Sequence, residues 1–330
     1  MDNFKSFESA LPTVNAANIN DIAVRLFRFQ AIHNPVYAAY CSHLGIKIEN
    51  IGTIGEIPFM PISFFKNHAI KTGSWKDEAI FTSSGTTGSS TSIHHIENVE
   101  YYLKHAERCF THFFGPISNY HILALMPSYM ERENSSLVAM IQSFIRKSES
   151  ADSGFYLYEH DKLLLDIERL KGRNDKKIIL WGVSFALLDV AEKFHPDLSG
   201  CLVFETGGMK GRRREITRHE LHDQLRQYFN IDTVYSEYGM TELLSQAYTK
   251  GGDRFYCPPG MQIIIREAGD PFEKGLVERS GGINVVDLAN IRSVAFIETE
   301  DAGKVYSDGS FEVMGRLDNT DVRGCNLMVE

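Results

Sequence analysis

The chain has 330 residues, 43% of them hydrophobic and 23% charged, with a net charge of −9. That length allows one large or two modest domains, and the composition is that of a globular chain rather than a disordered one. The acidic balance, with no long basic run, argues against nucleic acid as the main partner.

Taken in chain order, residues 1 to about 50 read as helical. They carry a mixed apolar pattern at Ile22, Val24, Leu26, Phe27 and Phe29, then a Tyr- and Ala-rich stretch to Leu44. Ile57 to Lys66 reads as extended, restricted by Pro58 and Pro61. A short strand, Ala79-Ile80-Phe81, leads into a Ser/Thr/Gly loop, and Ile96 to Phe114 follows as a helix. His121 to Met126 is a buried strand stopped by Pro127. Ser136 to Arg146 is helical. Lys177 to Gly182 is a second buried strand, running into a helix through Lys193. Leu202 to Glu205 is a third, ending in Thr206-Gly207-Gly208. Ile216 to Phe229 is helical, and Thr233-Val234-Tyr235 is a strand. Apolar strands alternating with helices indicate a mostly parallel α/β sheet. After residue 255 the pattern changes to short strands at Met261 to Arg266, Gly281 to Asp287, Val294 to Glu298 and Phe311 to Gly315, a β-rich subdomain. In open α/β sheets ligands bind beyond the carboxyl ends of the strands. Thr82 to Gly88, Gly182 to Ser184, Thr206 to Gly208 and Ser236 to Glu242 all follow predicted strands and are expected to converge on one crevice.

The richest segment is Phe81 to Ser90. Every residue after Phe81 is Ser, Thr or Gly, and none is charged. Small residues bring backbone N–H groups close to a ligand, and hydroxyls add donors that rotate to fit. A concave run of N–H groups favours the phosphates of a nucleotide. The segment is not a Walker A loop, because no Lys follows Gly88. Read alone, it is equally a flexible polar linker. The cluster Lys210, Arg212, Arg213, Arg214 is a solvated segment or a local anion site. Five scattered cysteines (Cys41, Cys109, Cys201, Cys257, Cys325) form no C-x-x-C pair, which argues against a Cys-based zinc site. Their odd number and an N-terminus without an apolar core favour a reducing cytoplasm. No apolar run approaches the ~20 residues of a membrane helix.

The second motif, Tyr235-Ser236-Glu237-Tyr238-Gly239-Met240-Thr241-Glu242, resembles the Y-G-x-T-E element of the adenylate-forming superfamily, which includes acyl-CoA synthetases and luciferase. Thr299-Glu300-Asp301-Ala302-Gly303 resembles that superfamily's T-G-D segment, and Gly315-Arg316-Leu317-Asp318 its G-R-x-D hinge. The order of all four elements matches. The resemblance implies ATP and Mg²⁺ as cofactors. Thr82, Ser83, Ser84, Gly85, Thr86, Thr87 and Gly88 would cradle phosphates. Thr241 would contact a phosphate, Glu242 would hold Mg²⁺, and Arg316 would reach phosphate. Tyr238 and Gly239, with the backbone of Gly207 and Gly208, would lie against the adenine, and Asp301 would grip the ribose. The sequence ends soon after Asp318, so a C-terminal lid with its catalytic Lys is expected to be absent or vestigial. Residues 1–314 would form the adenylation core and 315–330 a hinge and tail.

This layout resembles the long-chain acyl-protein synthetase (LuxE-type) family. Further shared segments are Ile57 to Pro61, Pro127 to Arg132, Asp287-Leu288-Ala289-Asn290 and Asp321 to Cys325. By that resemblance a carboxylic acid, of the fatty-acid class, would be activated to acyl-AMP, and Cys325 would take the acyl group. Arg323 is placed to lower the pKa of that thiol. An acyl-reductase, acyl-transferase or carrier protein would receive the acyl group. Two alternatives remain at this point: a ligase that passes acyl-AMP to coenzyme A or a carrier-protein thiol, and a degenerate ATP-binding partner. With no lid Lys, Lys210 and Arg212 to Arg214 are candidates to balance pyrophosphate. Trp181 to Ala186 mixes small and aromatic residues, as an acyl-channel wall or a core strand end. His94, His95 and His121 are candidates only by proximity to the motifs.

Overall fold

The structure is a computed structural model describing residues 2–83, 91–126, 134–207, 213–214, 216–267, 269–270 and 273–317. Five strands run parallel, in the order Gly154–Tyr156, Tyr120–Leu125, Lys177–Val183, Leu202–Thr206 and Val234–Tyr238. Tyr120–Leu125 is buried throughout, as expected of a parallel strand covered on both faces. Beyond Val234–Tyr238 the same sheet continues antiparallel through Ala247–Thr249, Phe255–Tyr256, Phe311–Arg316, Phe296–Val305, Ser280–Asp287, Met261–Arg266 and Lys274–Leu276. The α/β class read from the sequence is therefore present, with the antiparallel strands of this sheet falling in the last third.

Helices Val99–Phe114 and Ser136–Lys147 cover one face of the parallel part. Phe110 and Phe144 lie against Trp181, whose ring stacks on Phe204 at 4.7 Å. Helices Ser184–Phe194 and Arg218–Phe229 pack together, and the second faces the other side of the sheet through His222. Gly182 marks where strand and helix come closest: a Cβ there would meet Leu187 Cδ2 at 2.6 Å. The helix Ile19–His33 lies on the antiparallel part. Its buried Gln30 amide donates to the carbonyls of Asn290, Ile291 and Ser293 and accepts from Ala295 N–H. No helix among the described residues is long and apolar enough to cross a membrane.

Three local expectations change. The helix expected from Ile96 begins at Val99, because Asn98 caps it by accepting from Tyr101 N–H. Ile93–Ile96 is instead a strand, paired antiparallel with Ala79–Thr82 and burying His94 and Ile96 on one side. Of Ile57 to Lys66, only Met60–Pro61 joins a ladder, parallel to Ile297–Glu298, and Phe64–Asn67 turns into a helix. The segment Thr299 to Gly303 lies inside the long strand Phe296–Val305 rather than after a short one. Gly282 pairs with Ala302 and Asn284 with Glu298, so Thr299, Glu300 and Asp301 all stand opposite Ile283. Bulges of this kind re-aim side chains.

Candidate functional site

The strand Val234–Tyr238 delivers the second motif to the sheet's carboxyl edge. Tyr238 is buried, with Phe255 and Phe311 at 5.8 and 5.4 Å, and its hydroxyl donates to Asp301 Oδ2 at 2.9 Å. Two sequence elements 63 positions apart thus meet at one hydrogen bond. Burial raises the Asp301 carboxyl, and the Tyr238 hydrogen bond and the Arg316 charge only partly offset it. Arg316 pairs with Asp301 across the ladder and is exposed. Buried Arg266 holds the bulge, donating to Thr299 O (2.7 Å), Ile283 O (2.9 Å) and Asn284 Oδ1 (2.9 Å). Gly239 follows Tyr238, where a Cβ would stand 2.2 Å from Glu237 Oε1.

Thr241 and Glu242 sit on a loop pinned from three sides. His94 Nδ1 lies 2.8 Å from Thr241 O; a carbonyl only accepts, so Nδ1 carries the proton. Burial lowers His94 to about 4, so its ring is neutral. Asn290 Nδ2 donates to Glu242 O at 2.8 Å. Asp287, fully buried, accepts from Leu244 N–H (2.7 Å), Ser245 N–H (3.0 Å), Ser245 Oγ (2.6 Å) and Ala289 N–H (3.2 Å). Glu242 itself is 4% exposed. Burial raises its carboxyl, against a hydrogen bond from Ser92 and the charges of Lys66 and Arg316.

That Ser92 contact ties Glu242 to the Ser/Thr/Gly segment. Ser83 N–H donates to Ser92 O at 3.1 Å, and Ser92 N–H to Ser83 Oγ at 2.9 Å, closing a neck. Thr82 N–H donates to Asn134 O. Ser84, Gly85, Thr86, Thr87 and Gly88 lie outside the described residues, as do Gly208, Lys210, Arg212, Asp318, Arg323, Cys325 and Pro127 to Arg132. Gly207 ends its strand at φ +83°, a conformation suited to glycine.

A polar group absent from the sequence reading links the strand ends. Glu205 Oε2 accepts from Ser184 Oγ (2.9 Å) and Oε1 from Ser236 Oγ (2.5 Å), with His222 Nε2 3.6 Å and Arg218 Nε 3.7 Å away. Burial pushes Glu205 up, but the His222 hydrogen bond and the Arg218 charge outweigh it, so its carboxyl is lowered. On the other face of the sheet Thr206 Oγ1 donates to Glu237 Oε2 at 2.6 Å. Burial raises Glu237 to about 7, with the Glu205 charge adding to the rise. Among the described residues Ser184, Glu205, Thr206, Ser236 and Glu237 thus meet at the strand ends, while Ser84 to Gly88 and Gly208 lie outside them. The signal available was an acid inside an apolar run, Leu202-Val203-Phe204-Glu205, because buried acids are rare without partners.

Other candidates lie apart. His121 bonds Ser150 and Asp175 at the amino end of its strand, and His95 pairs with Asp77. Arg213 is held by Asp189 and Glu192. A hollow of about 620 Å³, lined by Asn119, Lys171, Lys177 and Gly200 among others, opens at the amino ends of the strands and shares no residue with this group. Among the described residues no cluster of three or more His, Cys, Asp or Glu is set to hold a metal. A buried carboxylate such as Glu242, under-compensated by cations, fits a Mg²⁺ that takes most of its ligands from phosphates and water.

No protein-family model matches the chain. Its sequence is 23% identical over 342 residues to the long-chain-fatty-acid–luciferin-component ligase of Aliivibrio fischeri, covering 94% of this chain and 87% of that one. Its fold is similar to that of 2-hydroxyisobutyryl-CoA ligase, solved with 2-HIB-AMP and CoA (TM-score 0.67, 15% identity, 97% of this chain and 73% of the other). It is also similar to that of ATP-bound MatB from Rhodopseudomonas palustris (TM-score 0.54, 15% identity, 84% of this chain). There the chain spans about half of the relative, 52%. The chain is thus similar along nearly its whole sequence to a long-chain-fatty-acid–luciferin-component ligase, and its fold is similar to that of these CoA- and ATP-bound ligases.

Proposed function

We propose that this chain uses ATP with Mg²⁺ to activate a carboxylic acid, a fatty acid by its sequence relative, to acyl-AMP and then passes the acyl group to a thiol. The observation that carries the reading is the Tyr238–Asp301 hydrogen bond. It joins two nucleotide-binding motifs beside Glu242, Thr241, Arg316 and the Ser83–Ser92 neck. In this assignment Thr82 and Ser83 open the phosphate loop continued by Ser84 to Gly88, and Gly207, Gly208, Tyr238 and Gly239 face the adenine. Asp301 holds the ribose. Thr241 and Arg316 contact phosphate, and Glu242 holds Mg²⁺, which would offset phosphate charge. The protein's contribution is positioning and charge placement fixed before reaction.

The thiol acceptor is assigned to Cys325. Burial raises Cys41 and Cys109 to about 12 and Cys201 to about 11, and Cys257 higher still. Such groups are thiols near neutrality, and the thiolate is the nucleophile. That leaves Cys325 or an external thiol. An acyl-reductase, acyl-transferase or carrier protein would take the acyl group onward.

The test is ATP–pyrophosphate exchange with Mg²⁺ across carboxylic acids of graded length, followed by acyl labelling of Cys325→Ser. Exchange with one acid class is expected, with covalent label lost in the variant while exchange persists. No exchange with any acid refutes adenylation. Label retained in Cys325→Ser refutes the internal acceptor and favours coenzyme A or a carrier thiol.

A further inference from the structure

One cation whose charge reaches Glu242 has no role in the sequence reading: Lys66, on the turn just past the segment Ile57 to Pro61. Ile62 N–H donates to Glu298 O at 2.8 Å, extending the Met60–Pro61 pairing with Ile297–Glu298. The next turn, Phe64–Asn67, therefore stands beside the bulge that carries Glu300 and Asp301. Lys66 Nζ is 3.7 Å from Glu300 Oε1, too far for a hydrogen bond, and both side chains keep about a third of their surface (32% and 38%). A loose, half-exposed pair of this kind contributes little, so its ammonium is exchangeable. Its charge also acts on Glu242, as does that of Arg316. Arg213, the described member of the basic cluster nearest the second glycine motif, is by contrast held by Asp189 and Glu192. Lys71, the next Lys along, is committed to Asp77 and the Trp75 carbonyl.

Resting on the adenylation reading, we propose that Lys66 is a phosphate-binding residue of the crevice, contacting the ATP polyphosphate alongside Arg316. In the reaction a carboxylate oxygen of the acid attacks the α-phosphorus. The bond from that phosphorus to the bridging oxygen breaks, and the electron pair leaves on pyrophosphate. Lys66 stays protonated and offsets the charge that departs.

The experiment compares wild type, Lys66→Ala, Lys66→Arg and Glu300→Gln. It reads exchange as kcat and KM for ATP, Mg·ATP binding by calorimetry, and the unfolding midpoint. The expected result is at least a tenfold loss of kcat/KM for ATP in Lys66→Ala, partial recovery in Lys66→Arg, no loss in Glu300→Gln and unchanged midpoints. Exchange in Lys66→Ala within twofold of wild type overturns the assignment. Loss of exchange in Glu300→Gln as well as Lys66→Ala also overturns it, because the ion pair would then be what matters. If wild type shows no exchange with any acid but binds Mg·ATP at least tenfold more tightly than Lys66→Ala, the phosphate contact stands and the adenylation reading falls. If neither protein binds Mg·ATP, both fall.

Discussion

Glu237→Gln tests whether the crevice holds a neutral acid. In the fold, burial and the Glu205 charge raise the Glu237 carboxyl from 4.5 to about 7, opposed by the Thr206 hydroxyl. The unfolded chain releases this proton near 4.5, so between there and 7 the folded state holds one proton more. Stability from this group is full below about 4.5 and is lost as pH rises through 7. Taken at face value, the change between pH 5 and pH 8 is about 2.5 kcal/mol, and about 1 kcal/mol if solvent reaches the carboxyl. Glutamine keeps the shape and an acceptor for Thr206 but cannot ionise. Glu205 faces the same group, but its lowered carboxyl stays ionised across this range and cancels in the comparison. Tyr102 and Tyr248 on that face have hydroxyls raised by burial, and they too stay constant. Urea unfolding of both proteins at pH 5, 6, 7 and 8 measures the effect. The variant is expected to gain on wild type as pH rises, with most of the change between pH 5 and 7 and a plateau above 7. Parallel stabilities across the series, within about 0.5 kcal/mol, would refute the argument.

Asp287→Asn leaves the loop that carries Glu242 with an amide facing donors. Stability should fall by about 2–3 kcal/mol in urea unfolding, because hydrogen bonds to a buried charge are lost. Gly239→Ala puts a methyl 2.2 Å from Glu237 Oε1, so calorimetry should show a loss of about 1–3 kcal/mol. In Glu237→Gln/Gly239→Ala the two effects should not add, since the sites touch. Glu242→Gln keeps the Ser92 contact but lowers the charge offered to Mg²⁺. Exchange should drop about 10²-fold and require more Mg²⁺ for half-maximal rate, while the unfolding midpoint holds or rises, because a strained buried charge is removed.

The parallel half of the fold was legible because its strands are apolar runs bounded by turn residues, as in His121 to Leu125 and Lys177 to Gly182. Gly154–Tyr156, Ala247–Thr249 and Phe255–Tyr256 were not, since two or three residues carry no periodicity; their pairing decides them. Ile93–Ile96 reads as polar through its two histidines, yet one of them is buried as a neutral ring against Thr241. In the candidate site, Tyr238, Thr241, Glu242, Asp301 and Arg316 enter as motif letters, and Asp287 and Asn290 as a shared segment without a role. Arg266 was missed because a bulge three residues deep is a matter of register, which adjacent sequence does not state. Gly281 and Gly282 were its only local trace, since a Cβ on Gly282 would meet Arg266 Cζ at 2.4 Å.

The supporting residues explain how so polar a crevice keeps its shape. Glu205 is ionised and ties Ser184 to Ser236 across adjacent strands, with His222 and Arg218 beside it. Asp287 does the same for the loop after Tyr238. In both, donors converge on a carboxylate before any ligand arrives, so the cost of ordering these segments is met on folding rather than on binding. Glu242 differs: its carboxyl is as buried as theirs, but its cations stand at a distance rather than in contact. A group left under-compensated among groups that are not is where a cationic ligand gains most. The same contrast separates Asp301, raised by burial with one hydroxyl as its donor, from Glu205. Burial raises Glu237, Glu298 and Asp287 as well; among these acids the proposed nucleotide reading assigns Glu242 to Mg²⁺ and Asp301 to the ribose, where a ligand's charge or hydroxyls would supply the missing partners.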